Sequence, residues 1–154
     1  MPDSSWSTEA ANKLRKQRER KEQEDAALLE KIRLRQAKAP ELWQELRNIV
    51  KGMCDSLNAE YGEEIVLVQM AHPRELNVRI RTPAAGVHEL KASFDSASSG
   101  DALKWVTAGH TRNLPQNGKY RLGIEEGKVF FHISQTPVTP EAIAVQMLDG
   151  LLLE

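Results

Sequence analysis

Residues 40–61 read PELWQELRNIVKGMCDSLNAEY. Apolar side chains recur in this segment at steps of three and four, which places them on one stripe of an α-helix. The stripe consists of Leu42, Trp43, Leu46, Ile49, Val50, Met53, Cys54 and Leu57. Polar side chains occupy the opposite side: Glu41, Glu45, Arg47, Asn48, Lys51, Asp55 and Ser56. A helix with so wide an apolar stripe must pack on another layer, and we expect Trp43 and Leu46 to anchor it in the core.

The residues that follow this helix, as far as position 133, form short apolar or alternating runs that are typical of β-strands. These runs cover residues 65–70, 76–81, 89–95, 120–124 and 129–133. Residues 103–108 favour a strand by propensity, although a single helical turn capped by Asp101 is the alternative.

The last two runs predict a hairpin with a defined register. A two-residue turn at Glu126 and Gly127 keeps both apolar sets on one side of the sheet. The pairs that this turn sets are Ile124 with Val129, Leu122 with Phe131, Gly123 with Phe130, and Arg121 with His132. A three-residue loop over residues 125–127 with a β-bulge is the competing turn, and it would mix the two faces.

A second helix is predicted after Thr139, because a capping threonine is followed by Pro140 and Glu141 in the first turn. Its apolar face comprises Ile143, Met147, Leu148, Leu151 and Leu152. The predicted fold is therefore an α+β two-layer sandwich, in which an antiparallel β-meander of five to six strands is flanked by an N-terminal and a C-terminal helix.

The N-terminal residues have a different composition, and we divide the chain into a charged, partly disordered or helical extension over residues 1–38 and a compact α+β domain over residues 39–154. Residues 1–6 are predicted to be disordered, whereas residues 8–37 contain no Gly or Pro and favour a solvated helix. Residues 11–38 hold ten Lys or Arg against five Asp or Glu. Because Pro40 disfavours helical continuation from the residue before it, we expect a kink or break there.

The composition excludes several classes of protein. The chain has 154 residues, a net charge of -1 and one cysteine, so an intrachain disulfide and a cysteine-based zinc cluster are excluded. We expect Cys54 to be a buried, unreactive thiol. The first twenty residues lack the apolar core of a signal peptide, and no run is long enough to span a membrane. We therefore predict a cytoplasmic protein without membrane contact.

No catalytic residue, metal ligand or cofactor site is predicted. The sequence contains no phosphate-binding loop, no His-Glu-x-x-His zinc motif and no Gly-x-Ser-x-Gly nucleophile turn. Its four histidines are scattered, and histidines in loops are usually solvated. Enzymatic activity would require loops 71–75, 96–101 and 109–118 to converge, for example bringing His72 and His110 to an acid.

Two surfaces are candidates for binding a partner. The first is the N-terminal helix, where a short helix contact is predicted through Leu28, Leu29, Ile32 and Leu34. A long coiled coil is not expected, because Lys21 and Arg35 fall on the same heptad seam as Leu28. The second is the polar sheet face, which groups Arg79, Arg81, Lys91, Arg121, Phe130 and His132. The structural alternative is that Glu89 and Asp95 pair with these cations while Phe130 shields Gly123.

The leading hypothesis is a non-enzymatic protein-interaction module whose N-terminal helix contacts another protein or a second copy. The alternative is a nucleic-acid-associated module that uses the basic arm, especially residues 13–21, together with the polar sheet face. The acidic residues interleaved with that arm weaken its positive field and make this alternative the less supported one.

Overall fold

The helix predicted over residues 40–61 is the C-terminal part of a longer helix. A computed structural model describes residues 4–83, 86–109 and 115–152. In chain order its elements are α1 (Ser4–Tyr61), β1 (Val66–Gln69), β2 (Glu75–Thr82), β3 (Gly86–Phe94), β4 (Leu103–Ala108), β5 (Asn117–Glu125), β6 (Lys128–Ile133), β7 (Thr136–Val138) and α2 (Pro140–Leu152).

The seven strands form one antiparallel sheet in which each strand pairs with the next one along the chain. Both helices contribute to a single core on one face of this sheet and also contact each other. The predicted α+β sandwich is confirmed, with seven strands instead of five or six because the three residues of β7 extend the edge. Residues 103–108 form a strand, as their propensity favours.

The apolar stripe of α1 packs as its spacing predicts. Trp43, Leu46, Val50 and Cys54 are buried, and the other four predicted members are partly buried against the same core. The Trp43 ring stacks on Phe94, with 5.2 Å between ring centroids. The stripe also extends one turn further than predicted, to the fully buried Ala39.

The prediction that Arg47 lies on the solvated side of the helix is wrong. Its side chain is 7% exposed and lies over the Trp43 ring, 5.7 Å from the ring centroid. The guanidinium donates hydrogen bonds to the carbonyl oxygens of Met70 (3.0 Å) and Pro73 (3.2 Å), and the Trp43 indole N–H donates to the same Pro73 oxygen (2.8 Å). These carbonyls belong to the β1–β2 loop, so hydrogen bonds that the helical pattern cannot reveal compensate for burial of the two terminal nitrogens, while Nε has no hydrogen-bond partner among the described residues.

Of the kink or break predicted at Pro40, the break is wrong, because α1 continues through this residue; the kink stays a prediction. Proline removes one backbone hydrogen bond from the helix, and contacts on both sides of Pro40 hold the chain in place. On one side, the Arg35 guanidinium donates to the carbonyl oxygens of Ser96 (2.7 Å) and Ser98 in the β3–β4 loop. On the other, Trp43 is buried in the core.

Residues 4–6 belong to α1 and are not disordered, while residues 1–3 lie outside the described residues. The domain division at residue 38 stays a prediction.

The hairpin of β5 and β6 has the predicted register at all four pairs. Glu126 and Gly127 have positive φ angles of 50° and 75°, the combination that a type I′ two-residue turn requires. The predicted cap of α2 is confirmed too, because the Thr139 hydroxyl accepts the backbone N–H of Ala142 at 3.2 Å. Both features depend on a few neighbouring residues, which is why the sequence predicts them well.

The indole of Trp105 fixes the position of α2 on the sheet. It lies between Gly118 on β5 and Gly150 on α2, where Cβ atoms would lie 2.3 Å from Nε1 and 3.0 Å from Cη2 of the indole. The indole N–H donates to the hydroxyl of Tyr120 (3.3 Å), which donates in turn to Gln146 Oε1 on α2 (2.5 Å). Burial raises the pKa of Tyr120, with the indole hydrogen bond opposing that effect in part.

Candidate functional site

The N-terminal half of α1 stands away from the body of the protein. We call residues 5–33 the helical extension: all of them are exposed except Ala10 and Ala11, which are partly buried. At 1.5 Å per residue the helical extension is about 43 Å long. Its large apolar side chains are strongly exposed: Trp6 67%, Leu14 64%, Leu28 58%, Leu29 54% and Ile32 44%. Of the four predicted contact residues only Leu34, which follows the extension, is partly buried.

Most exposed apolar residues of the helical extension continue the stripe that is buried further along α1. Leu28 and Ile32 are four residues apart, and Ile32 and the buried Ala39 are seven apart, so all three share one side of the helix. Leu14 lies on the same side, fourteen residues before Leu28. The side of α1 that packs on the sheet therefore runs on, uncovered, into solvent.

The charges of the helical extension are separated along its length, which our reading of the sequence did not detect. Residues 13–21 contain six Lys or Arg and one Glu, whereas residues 22–30 contain four Asp or Glu and no Lys or Arg. Among the described residues of the extension, the one ion pair within 4.0 Å is Arg18–Glu22 at 3.3 Å, and both side chains are more than 60% exposed. Summing charge over nine-residue windows would have found this separation.

The polar sheet face groups the six predicted residues on the side away from the helices, as the strand pairings require. Part of the structural alternative also holds. Arg79 pairs with Glu89 across β2 and β3 at 2.6 Å. The Phe130 ring covers Gly123, where a Cβ would lie 2.7 Å from the ring's Cζ. Asp95 does not pair with a cation among the described residues; its carboxylate accepts the Ala97 N–H at 3.0 Å.

Three lysines line a groove on the polar sheet face. Lys104 on β4 stands directly opposite Lys119 on β5, and Lys91 lies beside them on β3. The groove has a volume of about 520 Å³, and Glu75 contributes the one carboxylate of its lining. In the part of the chain that the structure describes, none of the three ammonium groups has a carboxylate within 4.0 Å. The prediction missed Lys104 and Lys119, because nothing in the sequence indicates how β4 and β5 pair.

The described parts of the loops considered for an enzyme lie at two different ends of the sheet. Successive connections of a meander alternate between the ends, so residues 71–75 and 96–101 share one end, whereas Gly109 and residues 115–118 lie at the other. The N–H of Phe94, the last residue of β3, donates to the Arg74 carbonyl at 2.9 Å, so the β1–β2 loop contacts the end of β3 from which residues 96–101 follow. Six residues of β4 separate the ends by roughly 20 Å. His110 lies outside the described residues, but the adjoining Gly109 packs against Val87 at the far end.

The other histidines have separate surroundings. The Nδ1 atoms of His72 and His132 each accept a backbone N–H in their own turn, from Arg74 and Gln135, both at 3.3 Å. The expectation of a solvated His88 is wrong, because β3 begins earlier than predicted and His88 is 4% exposed on its core face. Over residues 4–83, 86–109 and 115–152, no cluster of three His, Cys, Asp or Glu is arranged to hold a metal ion.

Cys54 is 2% exposed. Burial, and secondarily the neighbouring charge of Asp55, raises the pKa of its thiol to about 11. The thiolate, which is the reactive form, is therefore scarce at neutral pH, and the prediction of a buried thiol is confirmed.

Within the described residues, no helix has both the length and the apolar character that crossing a membrane requires. Comparison with protein-family models, with curated proteins and with solved structures finds no match to this chain.

Proposed function

We propose that this protein is a non-enzymatic protein-interaction module whose helical extension binds another protein or a second copy. The observation that carries the proposal is the exposed continuation of the α1 stripe, in which Leu14, Leu28 and Ile32 are 44% to 64% exposed. Exposed apolar side chains that share one side of an otherwise charged helix are the pattern by which amphipathic helices bind protein surfaces.

The energetics favour a modest affinity. Fully burying three side chains of this size contributes on the order of 5–9 kcal/mol. Association costs roughly 4–15 kcal/mol in lost translational and rotational freedom, before any further contacts are counted. The helical extension is already helical in the structure, which reduces the ordering cost of binding.

The test compares two full-length variants that carry the same added charge at the same spacing. Leu28→Glu/Ile32→Glu places two carboxylates on the exposed stripe, whereas Gln23→Glu/Ala27→Glu places two carboxylates on another side of the same helix. All four positions are exposed in the structure. We expect the first variant to lose both self-association and capture of protein partners from native lysate, and the second to retain whichever of these the unmodified chain shows.

Equal binding by both variants, with equal helicity by circular dichroism, would place the interaction elsewhere on the molecule. Catalytic activity on a broad substrate panel that disappears on substituting His72 or His132 would overturn the non-enzymatic part of the proposal.

The second candidate function is a nucleic-acid-associated module, which the groove of Lys91, Lys104 and Lys119 favours. Three ammonium groups without a carboxylate within 4.0 Å can contact phosphates, and the basic residues 13–21 would add to this field. The Phe130 ring lies against Gly123 and is partly buried, which limits the surface that it offers for base stacking. The expected binding is therefore electrostatic and independent of sequence.

Fluorescence anisotropy with single- and double-stranded DNA and RNA tests this candidate. Lys104→Gln/Lys119→Gln should weaken binding and reduce its salt dependence, whereas Lys38→Gln/Lys51→Gln removes the same charge away from the groove and should have little effect. Absent binding, or binding that does not change with salt, would exclude the nucleic-acid function. The cytoplasm remains the proposed location for either function.

A further inference from the structure

We propose that the helical extension pairs with the helical extension of a second copy in antiparallel orientation, forming a two-fold symmetric dimer centred on Lys21. The inference rests on the proposed function, since it names the occupant of the same exposed stripe and the orientation in which it binds. Two independent patterns on the extension, charge and apolar spacing, select the same register.

The charge pattern selects the orientation. Residues 13–21 have a net charge of +5 and residues 22–30 a net charge of -4. Parallel pairing in register places each segment on a segment of its own sign, whereas antiparallel pairing centred on Lys21 places each on a segment of opposite sign. Packed helices lie 8–10 Å apart, which is close to the Debye length of about 8 Å at physiological salt. The sign of the facing segment therefore matters under cellular conditions.

The apolar pattern selects the same register. With Lys21 on the two-fold axis, Leu14 faces Leu28 of the second copy, and Ala10 faces Ile32. Ala10 and Leu14 are four residues apart, as are Leu28 and Ile32, so each pair forms one side of its helix. The symmetry of an isologous contact produces each pairing twice. Four of these contacts therefore lie toward the two ends of the paired region.

Charged residues occupy the middle of the interface, and they are complementary in this register. Arg18 faces Glu24 of the second copy, and Gln17 faces Asp25. Lys21 alone faces itself, and its long stem allows the ammonium group to reach outward toward Glu24 of the other chain. The antiparallel register avoids the contacts of a parallel heptad pairing, in which Lys21, Leu28 and Arg35 would each face their own copies.

The length of the helical extension fits the pairing. Position 6 faces position 36 of the second copy, one residue beyond Arg35, whose guanidinium binds the β3–β4 loop of the body. The paired region therefore ends where each body begins, and the two bodies lie at opposite ends of the dimer. The strongly exposed Trp6 would then be placed next to the body of the second copy.

Charge reversal tests the orientation as well as the association. In the antiparallel dimer, Arg18→Glu and Glu24→Lys each create two like-charge contacts, and we expect each to raise the dimer dissociation constant by about tenfold. The double variant Arg18→Glu/Glu24→Lys restores opposite charges across the interface and should recover the affinity of the unmodified chain. Residues 18 and 24 are six apart, so this recovery cannot arise from a contact within one helix.

The measurement is sedimentation equilibrium of the full-length chain over a range of concentrations, with helicity of every variant checked by circular dichroism. We expect a concentration-dependent dimer that weakens between about 0.1 M and 1 M salt, as the Debye length falls from about 10 Å to 3 Å. Mixing the two single variants should produce a heterodimer tighter than either homodimer, because both of its charged contacts are then attractive.

A chain that stays monomeric at every concentration, or a double variant no better than the single ones, would overturn the antiparallel dimer. If the chain is monomeric but Leu28→Glu/Ile32→Glu still abolishes capture of a different protein, the proposed function stands and this inference fails. If that variant changes neither self-association nor capture, both fail.

Discussion

The two halves of α1 have the same helical pattern and opposite surroundings. Residues 39–57 lay their apolar side on the sheet, so that Leu46 is fully buried. Residues 5–33 present the same side to solvent, and Leu28 is 58% exposed. Packing on the sheet stabilises residues 39–57, whereas the helix over residues 5–33 depends on helix-forming residues and weak pairs between side chains four residues apart. Periodicity therefore indicates which side of a helix is apolar, but not whether anything covers that side.

The largest expected difference between the two halves of α1 is in the free energy of unfolding when one leucine in each half is truncated to alanine. Leu46→Ala should lower the free energy of unfolding by about 2–5 kcal/mol, because it leaves a cavity in the core. Leu28→Ala removes the same atoms from an exposed position and should change it by less than about 0.5 kcal/mol. Urea denaturation monitored by tryptophan fluorescence measures both, at protein concentrations low enough to keep the chain monomeric.

A small effect of Leu46→Ala would mean that the buried side of α1 is wrongly assigned. A large effect of Leu28→Ala under monomeric conditions would mean that the helical extension folds back onto the body.

The next effect concerns Cys54, on the buried half of α1. Its pKa is raised from 9.0 to about 11, so the folded state retains the thiol proton after the unfolded state has lost it. The contribution of this thiol to the free energy of unfolding is fully present below pH 9 and is lost as the pH rises through 11. The total loss is roughly 2–3 kcal/mol. Tyr120, whose pKa is also raised, contributes in the same direction at alkaline pH.

Denaturation of the unmodified chain and of Cys54→Ala from pH 8 to 11 separates the two groups. The alanine variant is expected to be less stable at neutral pH but to lose less stability on going to pH 11. Parallel pH dependences for the two proteins would show that Cys54 is ionised as readily when folded as when unfolded.

The smallest effects are expected for replacing a helix glycine by alanine, where the change in stability should be favourable at an uncovered position and unfavourable at a covered one. A Cβ at Gly52, in the C-terminal part of α1, meets no atom within 4 Å. Gly52→Ala should therefore stabilise the protein by about 0.5–1 kcal/mol, because alanine is the better helix former. Gly150→Ala adds the same methyl group 3.0 Å from Cη2 of the Trp105 indole, whose Nε1 edge lies close to Gly118. We expect a net destabilisation of about 1–2 kcal/mol.

Thermal melting of both variants gives the sign directly. A stabilised Gly150→Ala would show that Trp105 can shift away from α2. A destabilised Gly52→Ala would show that this part of α1 has a neighbour that the structure does not include.

Features that depend on a few consecutive residues could be predicted from the sequence. The stripe from Leu42 to Leu57, the Glu126-Gly127 turn and the Thr139 cap follow from helical periodicity, backbone conformation and one side-chain hydrogen bond respectively. The hairpin register could be predicted because a two-residue turn fixes which residues of β5 and β6 pair. Each of these properties is set within about four residues or across one tight turn, so the surrounding fold had little opportunity to change it.

The tertiary structure alone decided which positions have a neighbour distant in the sequence. Arg47 is buried because carbonyl groups of the β1–β2 loop reach it, and α1 continues through Pro40 because Arg35 and Trp43 are held on either side. Lys104 meets Lys119 only through the pairing of β4 with β5. The candidate sites follow the same division: the sequence identified Leu28 and Ile32, but only the fold showed that the side they share with the core remains uncovered. Local periodicity is encoded in neighbouring residues, whereas coverage depends on where distant segments pack.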